Sequence, residues 1–164
     1  VKTELFFNNN ISVNTSINVN SNEKKEIFQN ANIKLNIING KINFNKTRLI
    51  NDRIGSLILK NSNLFFKNNN LTLNTDIVVD LKNIDALFFL LQTTKKSRKL
   101  IKNIQINLDY DFLTQQTKFN NIKIDNKEAN DEIYAIIKDF TFSKINNWNK
   151  SKRIVNELLR NYEG

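Results

Sequence analysis

Residues Ile33–Phe44 read I-K-L-N-I-I-N-G-K-I-N-F, and this stretch decides the fold. Ile33, Leu35 and Ile37 alternate with Lys34 and Asn36, the period-2 pattern of a strand with one apolar and one solvated face. After Asn39-Gly40 the alternation resumes, with Ile42 and Phe44 set against Lys41, Asn43 and Asn45. Asn-Gly between two such runs is the strongest short hairpin signal, because a type I′ turn needs two residues at positive φ.

The same pattern extends in both directions. Thr3–Phe7 and Ile11–Val19 read as strands around Asn8-Asn9-Asn10, and Phe28–Ile38 leads into the hairpin. Arg48 to Lys60 and Leu64 to Lys67 continue a meander through Leu57, Leu59, Leu64 and Phe66. Beyond Asn68-Asn69-Asn70 comes what reads as the longest clean strand. Leu71, Leu73, Thr75, Ile77, Val79 and Leu81 take one side, with Thr72, Asn74, Asp76 and Asp80 on the other. At about 3.3 Å per residue it is roughly 36 Å long. Asn clusters stand in for the scarce Gly and absent Pro, since Asn tolerates the left-handed region better than most residues.

The period then changes. Leu81, Ile84, Leu87, Phe88 and Leu91 fall at helical spacing. Ile104, Ile106, Leu108 and Tyr110 return to alternation, and Lys118–Asp125 follows after Thr114-Gln115-Gln116. Ile133, Ile136, Ile137 and Phe140 predict a helix over about 128–140, and Trp148, Val155, Leu158, Leu159 and Tyr162 another over about 147–162. The expected fold is mainly β with helices (α+β): a curled antiparallel sheet or groove, one helical insertion and two C-terminal helices. Within one domain, residues 1–127 form the meander, with the insertion at about 81–92, and residues 128–164 form a helical cap.

Composition narrows the function. The 164 residues include no Cys, His, Met or Pro and 3 Gly, against 32 Asn, 22 Ile and 20 Lys. Without Cys or His there is no disulfide framework, no structural zinc site of the usual kind and no nucleophile activated by histidine. Absence of Met points to Val1 as an internal start, the chain being a piece of a longer protein. The net charge of +9 is spread along the sequence and is nearly all lysine. It matches the Lys, Asn and Ile bias of an AT-rich genome better than a dedicated nucleic-acid site.

Asp109 and Asp111 are paired carboxylates at i, i+2, a spacing that would suit acid–base work or a cation. Tyr110 between them belongs to the apolar face, so both are expected on the solvated side. No nucleophile is paired with a base, and no metal or phosphate motif occurs. The expectation is a protein that is not an enzyme and needs no cofactor or metal. The basic stretch Lys95, Lys96, Arg98, Lys99 and Lys102 directly follows the amphipathic segment. It is a candidate for contact with lipid headgroups or an anionic membrane surface, with Phe88 and Phe89 dipping in. As a nucleic-acid site it lacks aromatic residues interleaved with the charges.

The sheet is the more informative feature. It has too few helices to cover its apolar face, so it either closes on itself or curls into a trough for an apolar ligand. The candidate lining residues are Ile33, Leu35, Ile37, Ile42, Phe44, Leu71, Leu73, Ile77, Val79, Ile104, Ile106 and Leu108.

Asn32–Ile50, Gly55–Leu81 and Ile101–Asn126 together resemble the C-terminal region of AsmA-like proteins. There, a strand of alternating Ile and Leu leads through a Gly-centred turn into Gly-Lys-Ile-x-Phe, here Gly40–Phe44. The resemblance covers residues 28–127. It implies a β-groove similar to that of bridge-like lipid-transfer proteins, with phospholipid acyl chains inside. It further implies a periplasmic location, a parent chain anchored in the inner membrane by a segment upstream of Val1, and a part in phospholipid transport between inner and outer membranes. A protein partner at the outer-membrane end would fit this setting. The alternative is a structural or adhesive β-domain of the cell envelope that binds another protein.

Overall fold

A computed structural model describes residues 7–21, 27–67, 69–141 and 148–162. The described strands form a single nine-stranded sheet in which every pairing is antiparallel. They are β1 (Ser12–Asn20), β2 (Asn30–Ile38), β3 (Lys41–Asn43), β4 (Arg48–Asn51), β5 (Gly55–Lys67), β6 (Asn70–Leu81), β7 (Asn103–Asp111), β8 (Gln116–Ile124) and β9 (Lys127–Glu128). The spatial order is β1-β2-β3-β5-β6-β7-β8-β9, and β4 bridges β2 and β5 alongside β3. Three helices complete the fold: α1 (Ile84–Leu91), α2 (Asp131–Thr141) and α3 (Trp148–Asn161). This is the expected α+β class.

The Asn39-Gly40 hairpin forms as read, with φ of 49° and 72° at its two central residues. Asparagine carries several other sharp reversals: Asn61, Asn69 and Asn126 all have positive φ. The β3–β4 break leaves Ile33–Leu35 of β2 without a strand partner on the side away from β1, and side chains fill the gap. The Thr47 hydroxyl accepts from the Lys34 amide at 2.9 Å and donates to the Lys34 carbonyl at 3.2 Å. Asn45 Oδ1 likewise accepts the Ser62 amide at 2.7 Å.

Three expectations need correction. β5, with 13 residues, is longer than β6, with 12. The Leu64–Lys67 run is the continuation of β5 beyond a bulge, not a separate strand: Asn61 and Ser62 together face Thr75 of β6. A turn at 52–54 divides Arg48–Lys60, held where Asn51 Oδ1 accepts the amides of Arg53 and Ile54. Of the expected strand Thr3–Phe7, residues 3–6 lie outside the described residues. Phe7 itself is in a turn, its ring 4.9 Å from that of Phe66.

The helices lie at one end of the sheet, where α2 packs on β8 and against α3, and α3 meets α1. Their amphipathic faces meet the strands in one core cluster that includes Phe88, Leu91, Ile101, Ile122, Ile124, Ile133, Ile137, Leu159 and Tyr162. Asn83 caps α1, its side chain accepting the Ala86 amide, and Gln92 ends it in the left-handed conformation. The helical layer stops there. Among the described residues, the core cluster that the helices share with the sheet draws on β6, β7 and β8 and on no residue of β1–β5.

Candidate functional site

The pairing registers bring the apolar positions of eight strands onto one face. One cross-strand row runs Val19, Ala31, Leu49, Leu57, Val79, Ile104, Ile124. A second runs Val13, Ile37, Ile42, Leu64, Leu73, Tyr110. Between them Ile17 faces Ile33, and Leu59, Ile77, Ile106 and Ile122 align across β5–β8. A one-residue slip anywhere would turn a strand's apolar set to the wrong side, so these rows fix the register of the whole sheet.

Eleven of the twelve candidate lining residues share this face; Phe44 follows β3 and donates its amide to the Ser62 carbonyl. They do not share one environment. Ile33, Leu35, Leu71, Leu73, Ile77 and Val79 are half-buried, whereas Ile37 on β2, Ile42 on β3 and Leu108 on β7 are buried. Ile104 and Ile106 pack against the helical core. Exposure rises toward β1, where Val13, Ile17 and Val19 are 42%, 50% and 48% accessible. Helices cover the face at the β8 end and β1 is its exposed edge, while Ile37 and Ile42 near β1 are buried outside the helical core. The lining set omitted the β1 residues and Leu57, Leu59 and Leu64, although their alternation was readable.

The floor has a polar interruption. Thr75 and Ser62 are almost completely buried, and neither hydroxyl has a hydrogen-bond partner. Burying a hydroxyl without a partner is unfavourable, so Thr75→Val, of nearly equal shape, is expected to raise stability by about 1 kcal/mol. Urea unfolding measures this, and a loss of stability would show that the hydroxyl is satisfied in solution.

The opposite face is mostly polar and internally bonded, with Ile58 and buried Val78 paired across β5 and β6. Asn70 and Asn74 donate to Asp111 and Asp109 at 2.8 and 2.7 Å, and Asn103 and Asn107 donate to Asp80 and Asp76. Asp109 and Asp111 thus sit on the solvated side. Asp111 also accepts the amides of Leu113 and Thr114 in the β7–β8 turn. The Thr114 amide, followed by Asn70, holds its carboxyl below the usual carboxylate range. At the far end Tyr162 is pushed up by burial and then by the nearby charge of Asp125.

The basic stretch is divided. Lys95 and Lys96 are exposed in a 3-10 turn spanning Lys95–Ser97, Lys102 is exposed and Lys99 half-buried. The Arg98 guanidinium lies 5.7 Å from the centre of the Phe88 ring and donates to the Thr93 carbonyl. Phe88 is 2% accessible and belongs to the core, so it does not dip into a membrane as expected. Its helical phase with Ile84 and Leu91 turns it inward. Phe89 and Leu100 are the exposed pair, at 80% and 74%. No described helix is long and apolar enough to cross a membrane.

A cavity of about 220 Å³ lies between the helices and the β7–β8 end of the sheet, and every described residue that lines it is apolar. No protein-family model matches the chain, and no curated protein or solved structure does either.

Proposed function

We propose that this chain is a non-enzymatic lipid-handling module that holds phospholipid acyl chains along the apolar face of its sheet. The observation that carries this reading is one apolar face shared by strands β1 to β8, roofed by helices at β8, with its edge at β1 exposed. A water-exposed apolar face of this extent favours an apolar guest, and each methylene buried contributes about 0.8 kcal/mol. Such a surface binds chains without specific polar contacts, which accords with the absence of catalytic chemistry in the sequence. Lys95, Lys96, Lys99 and Lys102, in the same segment as exposed Phe89 and Leu100, would meet anionic headgroups or a membrane surface. Placement in a bacterial envelope, between inner and outer membranes, follows from the resemblance to AsmA-like proteins.

Native mass spectrometry of the purified chain, with chromatography of its extracted lipids, tests the reading. Bound phospholipid is expected. The double variant Val13→Lys, Ile17→Lys alters two exposed positions and should leave stability within about 0.5 kcal/mol. It is expected to lower lipid occupancy severalfold. A lipid-free wild type that also fails to take up phospholipid from vesicles would defeat the proposal.

A further inference from the structure

The cavity beneath the helical cap has a chemistry of its own. Ile106 and Ile122 form part of its sheet side, and Ile133, Ile137, Val155 and Leu158 part of its helical side. A buried water needs two to four polar partners, and none is offered here. Its volume of about 220 Å³ exceeds the roughly 150 Å³ at which a dry apolar cavity takes up benzene or xenon. A headgroup, a peptide or a carboxylate would bring polar atoms that the walls cannot satisfy. Hydrocarbon is the chemistry that fits.

We propose that this cavity is a terminal site for the methyl end of a single acyl chain. Ile104 and Ile106 line it, and in the register of the sheet they stand opposite Val79 and Ile77 of the trough floor. A chain lying across β6 therefore meets an apolar path into the cavity, and only its methyl end enters without desolvating charge. The polar end is left toward β1, so the guest has one orientation. The chain's identity as a lipid tail rests on the trough reading; the hydrocarbon site does not.

NMR of the whole chain with isoleucine δ-methyl labelling tests this, using xenon, benzene and palmitate as separate probes. Xenon and benzene are expected to shift Ile133 and Ile137, and the terminal methyl of palmitate to give NOEs to the same two residues. Val155→Phe narrows the space by about two methylenes' worth of burial and should weaken palmitate binding roughly tenfold. Xenon and benzene leaving both methyls unmoved overturns the site, as do NOEs from the carboxyl end of palmitate. Palmitate that contacts Ile33 and Leu35 but never the cap, and is indifferent to Val155→Phe, overturns the inference while the trough stands. Palmitate binding nowhere defeats the trough reading, whereas benzene at Ile133 and Ile137 still supports the hydrocarbon site.

Discussion

Gly55→Ala is expected to cost about 3 kcal/mol or more and to lower the melting temperature by roughly 6–12 °C. Gly55 opens β5 at φ +148°, a backbone conformation that L residues rarely adopt. A β-carbon there would also run into the backbone carbonyl of Asp80 on the neighbouring strand. That neighbour has little freedom to withdraw. The Ile54 carbonyl accepts the amides of Lys82 and Asn83 at 2.8 and 3.1 Å, tying the start of β5 to the exit of β6. Asn83 is in turn the cap of α1, so displacement would propagate from strand pairing into the helical core. Thermal and urea unfolding followed by circular dichroism give the magnitude. A variant within 1 kcal/mol of wild type would mean that the close approach at Asp80 relaxes freely.

Gly55 also shows where sequence reading stops. The Gly40 turn was legible because Asn-Gly is flanked by alternation on both sides, and a type I′ hairpin is a local event. Gly55 sits inside the run Arg48–Lys60 with no turn dipeptide beside it, and its requirement comes from Asp80, 25 residues later on β6. The bulge at Asn61 was hidden for the same reason: Lys60 to Asn63 still reads as a polar stretch, and only the register against β6 reveals the extra residue. The lining face was readable strand by strand, since period-2 alternation states which residues share a side. Its cover was not. Helical spacing identified α2 and α3 as amphipathic, but which strands they roof is a long-range fact that no periodicity encodes. Hence Ile104 and Ile106 were grouped with Ile33 and Leu35, although the first pair is under helices and the second is not. Phe88 and Phe89 differ by one position and by a full reversal of environment, which the phase of a two-turn helix leaves poorly defined.

The largest loss from a single core truncation is expected at Ile101. Its side chain is 1% accessible, belongs to the core cluster and forms part of the wall of the apolar cavity. Replacing a buried isoleucine by alanine costs about 2–5 kcal/mol, the upper values arising where surroundings cannot collapse into the space released. At Ile101 the space released would add to a cavity of about 220 Å³ already present, bounded by strands on one side and by α2 and α3 on the other. Collapse would require the helices to shift together, so Ile101→Ala should fall in the upper half of that range. Ile42→Ala, at a buried position that does not line this cavity, should cost less. Benzene separates this account from simple loss of packing: it should restore more stability to Ile101→Ala than to Ile42→Ala, because only the first enlarges a site that accepts it. Equal losses at the two positions, with benzene stabilising neither, would show that the space under the cap closes in solution.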